Sequence, residues 1–566
     1  MRTGAEIVWA CLGAEGVDTV FGYPGGAVIP LYDALRGSGV RHILTRHEQG
    51  AVFAAEGYAR ATGRVGVAIA TSGPGATNLV TGIADARMDS VPLVCITGQV
   101  RTSLIGTDAF QETDVFGMTL SLTKWNRLVL STEEIPEVVA EGFHIARSGR
   151  PGPVLLDVPV DVLKGKAEVQ IPGSFRVKPK PRWPHAARPD FPAATLRALL
   201  QSSTRPTALV GAGAKLSGAH RALERLLDCL QIPTGVTLHG LGAVPYEKPY
   251  FLGLVGMHGS RAANVALNEA DLLLVFGARL DDRVTGDPTK FAPTARIVHL
   301  EIDPSQLDRV RSYELPILGD LAETIPQFHD AIADFPLPDW SAWKQAIGEL
   351  RSGERNSPGA ALPALRFFDE LYALLPDNAI VVADVGQHQM WAAQRYRAHS
   401  PRGFITSGGL GAMGFALPGA VGVQLARPDA LVVCISGDGG IQMNIQELAT
   451  VRRYALSIKL IILDNKFLGM VRQWQQLFYD RNYAETDLSD NPDFITLAAA
   501  YGIQGHRIGI DPTQADGLSV NARDVLKRFL DSPDPQVLVF DCPPEANVFP
   551  MVPSGAAISE MLLEEN

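Results

Sequence analysis

Asp438 stands in the stretch "CISGDGGIQMN", where an apolar strand breaks off at Gly437-Asp438-Gly439-Gly440. A second apolar strand, "IKLIILDN", ends downstream at Asn465. A strand that stops at Gly-Asp-Gly and opens a helix offers an anion free backbone N–H groups and the positive end of the helix dipole. Asp438 supplies a carboxylate oxygen and Asn465 an amide oxygen, hard ligands of the kind magnesium or calcium takes. Magnesium completes its octahedron with phosphate oxygens and water. The pair therefore points to a diphosphate held through Mg²⁺ at the carboxyl ends of parallel strands, where open α/β sheets bind ligands. A capped helix and a β-turn would use the same residues, and spacing alone leaves both readings open. A Walker lysine loop is missing, which weighs against an NTPase.

Such strand ends need sheets to carry them. With 566 residues the chain is too long for one core. Short apolar runs such as "VGVAIAT" (65–71), "PLVCITG" (92–98) and "PVLLDVP" (153–159) alternate with helical stretches, which predicts α/β layers with parallel sheets. We expect three doubly wound domains: residues 1–165, 190–332 and 364–545. The first opens with a helix leading into a strand. A stretch from 164 to 192 with six prolines reads as a linker, because neither a helix nor a central strand tolerates them. The middle block contains "TALVGAGAK" (207–215), whose glycines fall short of a dinucleotide fingerprint. "FPLPDW" and "RSGERNSPGAALP" read as a second linker, and 546–566 as a tail that folds back over something. The outer blocks echo each other, since "TSGPGATNLVTG" (71–82) and "TSGGLGAMGFALPG" (406–419) both place Thr-Ser-Gly and further glycines between a strand and a helix. One α/β topology used twice around a different middle domain is the expectation.

Bulk properties exclude several classes. Sixty-one acidic against fifty basic residues give a net charge of −11, and no run of five basic residues occurs. Neither nucleic acid nor an anionic membrane is an expected partner. Five scattered cysteines (Cys11, Cys95, Cys229, Cys434, Cys542) lack framework spacing, which points to a reducing compartment and away from zinc. The uncharged run Gly403–Ala426 holds seven glycines and a proline, so it reads as a buried turn and core helix rather than a membrane span. A cytoplasmic location is expected.

Several segments carry a resemblance. Asp438 with its glycines and Asn465 look like the bipartite Mg-diphosphate motif of thiamine diphosphate enzymes, and "RHEQGAVFAAEGYARATG" (46–63) resembles their cofactor-activating region. "VFGYPGGAVIPLYDAL" (20–35), "GTDAFQETDV" (106–115), "GMHGSRAAN" (256–264), "LDDRVTG" (280–286), "DVGQHQMWAAQ" (384–394) and "GMVRQWQQLFY" (469–479) narrow it further. Together they resemble the large catalytic subunit of acetohydroxyacid synthases, also called acetolactate synthases, over almost the whole chain.

The resemblance implies a thiamine pyrimidine-binding domain, a central FAD domain and a thiamine diphosphate domain. Pyruvate is decarboxylated on the cofactor, and the hydroxyethyl carbanion is ligated to pyruvate or 2-oxobutyrate on the way to valine, leucine and isoleucine. Glu48 is the implied catalytic residue; its carboxylate on the pyrimidine nitrogen would stabilise the imino form that acts as base. Metal ligands would be Asp438, Asn465 and the carbonyl of Phe467. Cofactor contacts would come from Gln387, His388, Gly411, Met413, Gly437, Gly439, Gly440, Gly469 and Met470. On the flavin side stand Arg150, Gly211, Gly213, Leu238, Gly256, Met257, His258, Gly259, Arg279, Asp281, Arg283, Asp303 and Asp320, with no net redox role for the flavin. The substrate set is Gly25, Gly26, Phe110, Gln111, Met257, Arg283, Met470 and Trp474. Arg283 would take the 2-oxo acid carboxylate bidentately, and Trp474 would wall the alkyl pocket. An active site shared between subunits implies a homodimer or homotetramer, and a small regulatory subunit is a possible partner. Val160 and Leu280 replace the lysine and phenylalanine usual in the family, and His239 is a milder departure. The alternatives are a pyruvate decarboxylase or oxidase.

Overall fold

The computed structural model describes residues 1–171, 191–354, 362–397, 400–511, 513, 518–519 and 521–564. Most of the proline-rich linker therefore lies outside the described residues. The first block carries β1 (Arg2–Thr3), β2 (Thr19–Gly22), β3 (Arg41–Leu44), β4 (Gly66–Ala70), β5 (Leu93–Gln99), β6 (Trp125–Leu128), β7 (Pro153–Pro159) and β8 (Lys166–Ala167). The middle block carries β9 (Pro206–Val210), β10 (Thr234–Val236), β11 (Phe251–Leu254), β12 (Leu272–Phe276), β13 (Arg296–Glu301) and β14 (Leu315–Leu318). The third carries β15 (Ile380–Ala383), β16 (Phe404–Thr406), β17 (Val432–Gly437), β18 (Lys459–Asp464), β19 (Gln504–Ile508) and β20 (Gln536–Asp541). Each block folds into one six-stranded parallel sheet, as expected of apolar runs buried on both faces. β1 and β8 form a separate antiparallel pair, so the linker's first residues are ordered against the N-terminus.

Strand order separates the blocks into two kinds. The outer sheets run β3-β2-β4-β5-β7-β6 and β16-β15-β17-β18-β20-β19, the same order once each is numbered within its block. The middle sheet runs β11-β10-β9-β12-β13-β14, the doubly wound order of dinucleotide-binding folds. One topology thus appears twice around a different middle domain. The two Thr-Ser-Gly strings are not its equivalent parts, however. Thr71-Ser72-Gly73 follows the third strand of its six-stranded sheet and Thr406-Ser407-Gly408 lies at the end of the second of its own. Topologically the partner of the Thr406 turn is Thr45–Glu48, after β3.

The second linker is not loose throughout. Ser341–Glu354 forms a helix whose Trp343 and Ile347, four residues apart, are buried, and the Trp340 indole donates to the Ser203 carbonyl at 3.1 Å. Apolar residues at helical spacing outweighed the nearby glycine and serine content. Residues 355–361 of that stretch lie outside the described residues. The uncharged run forms β16, a glycine-rich turn and the buried helix Ala416–Ala426. That helix crosses Glu48–Thr62 of the first block so closely that a Cβ at Gly57 or Gly422 would collide with the Gly419 or Ala54 carbonyl. Among the described residues no helix is long and apolar enough to cross a membrane.

Asp157, in β7, shows what burial does to a carboxyl here. It accepts Thr97 Oγ1 at 2.7 Å and Gln99 Nε2 at 2.9 Å, and burial pushes it up to about 7. A folded pKa above the unfolded 3.8 means that the native state alone binds this proton between about pH 4 and 7. Stability is therefore lost as pH rises through that window, on the order of 2–4 kcal/mol. Asp157→Asn removes the charge, its oxygen accepting from Gln99 Nε2 and its Nδ2 donating to the Thr97 hydroxyl in place of the bond Thr97 now donates. Its melting temperature relative to the parent is expected to rise from pH 5 to pH 8; an unchanged difference would sink the assignment.

Candidate active site

In the third sheet β15 and β17 are neighbours, and the chain leaves them in opposite directions. This is the topological switch point, where a crevice opens beyond the carboxyl ends. A cleft of about 100 Å³ that opens to solvent lies there. Asp438 and Gly439–Gly440 (after β17), Asn465 and Phe467 (after β18), Gln387 and His388 (after β15), Met413, Gly469 and Met470 all line it. Gly411 lies in the turn that delivers Met413 and has a positive φ of 72°.

Oxygen donors dominate the chemistry. The Asp438 side chain is buried, and burial followed by the nearby charge of Asp464 pushes its carboxyl up to about 7. It accepts Asn491 Nδ2 at 3.0 Å. Asn465 Oδ1 accepts the Phe467 N–H at 3.0 Å, while its Nδ2 donates to Gln387 Oε1 at 3.2 Å. Asp464 already pairs with Lys466 at 2.6 Å, which leaves Asp438 as the carboxylate without a cation, and one carboxylate plus amide and carbonyl oxygens suits Mg²⁺. The described residues contain no cluster of three His, Cys, Asp or Glu of the kind a zinc site needs. His388 Nε2 is buried with no partner, and burial pulls the imidazole down to about 3, so it meets the cleft neutral. Gly469 leaves room that a Cβ would take from Gln387 and Asn465.

Glu48 is not in this cleft, whose walls all come from the third block. It opens the helix after β3, is 9% exposed and accepts Asn78 Nδ2 at 3.0 Å. Its surroundings are the switch point of the first sheet, between β2 and β4. Gly25 packs against Thr71, the Ala27 N–H donates to Thr71 Oγ1 at 3.2 Å, and Gly73 abuts Gln111. Gly25, Gly26 and Gln111 thus gather on Glu48's side of the first block, and Phe110 next to them is 88% exposed.

Around the middle sheet's switch point, Gly211 and Gly213 press against Gly277, and their N–H groups already donate to Phe276 and Gly277 carbonyls. Arg150 lies 3.4 Å from Asp303, Arg279 3.4 Å from Asp281, and the two arginines are close enough to repel, which fits an anionic occupant. Asp320 caps the helix Leu321–Ile332, and Leu238 opens a 3₁₀ turn. The turn Gly256–Gly259 stacks on Arg283: the Met257 N–H donates to the Arg283 carbonyl at 2.8 Å and Arg283 Nη1 lies 3.0 Å from Met257 Sδ. Arg283 is 60% exposed and its nearest carboxylate, Asp282, is 3.8 Å away. Trp474 sits on the helix Gly469–Phe478, edge-on to Phe478.

Sequence reasoning missed Val385, Leu468, Asn491 and Cys542, which also touch this site, and Gln473. The tail's role was half seen. It runs over the third block, donates from Val552 to the Met257 carbonyl and bridges Gly286 at Ala557, joining the third block to the middle one.

Three family models match the chain: the N-terminal TPP binding domain (residues 2–118), central domain (193–328) and C-terminal TPP binding domain (384–540) of thiamine pyrophosphate enzymes. The chain is 48% identical over 559 residues to the acetolactate synthase isozyme 2 large subunit of Escherichia coli, covering 99% of each. It is 42% identical to a probable acetolactate synthase large subunit of Methanocaldococcus jannaschii (99% of this chain, 95% of that one) and 43% identical to the chloroplastic acetolactate synthase of Arabidopsis thaliana (100% and 85%).

Proposed function

The chain belongs to the acetolactate synthase large subunits of the thiamine diphosphate enzymes, and on that premise we propose how its residues divide the work. Its activity is the acetolactate synthase reaction, a carboligation, and the decarboxylase and oxidase alternatives give way. The observation that carries the assignment of residues is the cleft of the third block, a largely apolar pocket into which Asp438 brings a buried carboxyl near neutrality and His388 an unpartnered neutral imidazole.

When bound, thiamine diphosphate supplies an acidic carbon that adds to a 2-oxo acid and stores the electron pair released with CO₂. Asp438, Asn465 and the Phe467 carbonyl would hold Mg²⁺, His388 would donate from a ring nitrogen to the diphosphate, and Met413 would pack on the cofactor. Glu48 shares a proton with the cofactor's pyrimidine nitrogen from a site its burial keeps dry. Since one chain's Glu48 and its own cleft are not brought together, the first block of one copy faces the third block of another. Exposed Tyr23, Ile29, Leu104, Phe110 and Phe116 on the first block, and Leu410, Met443, Val471 and Phe478 on the third, are the apolar surface such a pairing would cover. FAD would lie against Arg150, Arg279 and the Gly211–Gly213 turn. Arg283 takes the carboxylate of the second 2-oxo acid, and Trp474 its alkyl group. The E. coli relatives' designation as large subunits supports a smaller partner subunit, to which we assign regulation; a cytoplasmic location rests on the five free cysteines.

The test is a product assay with pyruvate, 2-oxobutyrate, thiamine diphosphate, Mg²⁺ and FAD. Both 2-acetolactate and 2-aceto-2-hydroxybutyrate are expected, with no reduction of bound flavin by pyruvate. Trp474→Leu is expected to cut the ratio of the second product to the first about tenfold, the worth of a lost apolar wall. An unmoved ratio would remove Trp474 from the pocket, and acetaldehyde alone would remove the acceptor site at Arg283.

A further inference from the structure

Three buried amides connect the cleft to the tail. The Val548 N–H donates to Gln473 Oε1 at 2.8 Å, and Gln473 Nε2 donates back to the Val548 carbonyl at 3.0 Å. A backbone N–H cannot accept and a backbone carbonyl cannot donate, so this pair fixes which end of the Gln473 amide is oxygen. Gln387 Nε2 then donates to that same Gln473 oxygen at 3.0 Å and to the Ala546 carbonyl at 2.9 Å. With its nitrogen committed, Gln387 must present Oε1 to Asn465 Nδ2, 3.2 Å away. Asn465 is left with Oδ1 on the other side, beside the Phe467 N–H. Gln473 is fully buried and Gln387 is 4% exposed, so water does not rescue a wrong amide sense at low cost.

We infer that docking of tail residues 546–548 secures, through Gln473 and Gln387 and alongside the Phe467 N–H, the orientation in which Asn465 offers its amide oxygen to a divalent cation. The inference rests on the reading of Asp438 and Asn465 as the Mg²⁺ ligands. Gln473 is a positioning residue, since it touches the tail and Gln387 and is not among the residues lining the cleft. With the tail undocked, nothing at Gln473 distinguishes the two amide senses, and Asn465 keeps its oxygen toward the metal by the Phe467 N–H alone.

The experiment is a Mg²⁺ binding isotherm on the full chain with thiamine diphosphate present, read by calorimetry, alongside protease cutting within 546–566 mapped by mass spectrometry. Gln473→Met keeps the volume and removes both hydrogen-bonding ends; the Mg²⁺ midpoint is expected to rise at least tenfold, with faster tail cutting. Gln473→Glu, protonated in this buried position, keeps an oxygen that accepts from Val548 and Gln387 and an O–H that donates to the Val548 carbonyl, and is expected to restore most of the affinity. Should Gln473→Met fail to fold, Val548→Pro, which removes the fixing N–H from the tail side, is held to the same tenfold criterion. A Mg²⁺ midpoint within twofold of the parent in the folded variant, with the tail cut faster, overturns the inference. Asp438→Asn tests the underlying reading separately: it should abolish binding with tail cutting in the metal-free protein unchanged. Parent-like Mg²⁺ affinity in Asp438→Asn would sink the metal site itself.

Discussion

Glu48→Gln is expected to lower turnover by about 10²–10⁴-fold, the range that a positioned proton-sharing group contributes. The substitution is nearly isosteric. It keeps an oxygen for Asn78 Nδ2, now 3.0 Å from the carboxylate, and leaves the packing beside Gly75 unchanged. Glu48 is also the first residue of its helix, where a negative charge interacts favourably with the dipole, so a loss of a few tenths of a kcal/mol is the expected stability cost. What the amide cannot do is give and retake a proton at a ring nitrogen. Cofactor affinity, measured by fluorescence titration, should therefore move far less than kcat. A kcat within threefold of the parent would take the base-activating role away from Glu48, and a large loss of cofactor affinity with kcat preserved would make it a binding residue instead.

Why these residues could be found in the sequence while others could not follows from where their partners lie. Asp438, Asn465, Gln387 and Glu48 each sit one to four residues beyond a strand. A parallel sheet gathers all its carboxyl ends on one rim, so strand-end polar residues converge without any knowledge of the fold in detail. Gln473 carries no such mark. It lies mid-helix among residues of a tryptophan-bearing substrate helix, and its meaning depends on a backbone contact 75 residues away. The helix Ser341–Glu354 was hidden for a different reason: the glycines and proline after it are loop signals, and two buried residues are a thin helical signal. The Thr-Ser-Gly echo misled because similar glycine turns recur wherever a strand hands over to a buried helix. The repeated topology is real, yet the strings that hinted at it are not its corresponding parts.

A junction of all three blocks was also invisible, and removing its centre is expected to have the largest effect on stability. Arg60 Nη2 lies 2.8 Å from Asp89, 3.3 Å from Glu56 and 3.7 Å from Asp85, three carboxylates whose side chains have no solvent exposure. Its Nη1 donates to the Thr406 carbonyl at 3.0 Å, and the guanidinium stands 5.4 Å from the Phe415 ring. Asp85 and Asp89 in turn accept Ser407 Oγ and the Gly408 and Gly409 N–H groups, which hang the Met413 turn from the first block. His239 of the middle block completes the set, 2.9 Å from Asp89. Burial pushes Glu56 well up and Asp85 to about 7, whereas against its own burial Asp89 is held far below the carboxylate range by His239 and Arg60. Arg60→Met keeps much of the apolar stem and removes the cation, leaving buried carboxylates without their main counter-charge. A loss of about 3–5 kcal/mol is expected. The sign of its pH dependence follows from proton uptake. Without Arg60 the folded-state pKa values of Glu56 and Asp85 rise further above the unfolded ones near 4 and that of Asp89 rises from below, so the native state gains stability by binding protons and loses it as pH increases. The deficit in melting temperature should accordingly be larger at pH 8 than at pH 5.5. Adding Asp85→Asn to Arg60→Met should recover part of the loss at pH 8, because it removes one of the stranded charges. An equal deficit at both pH values, or no recovery in the double variant, would mean that Arg60 holds the junction through its hydrogen bond to Thr406 and its packing on Phe415 rather than through charge.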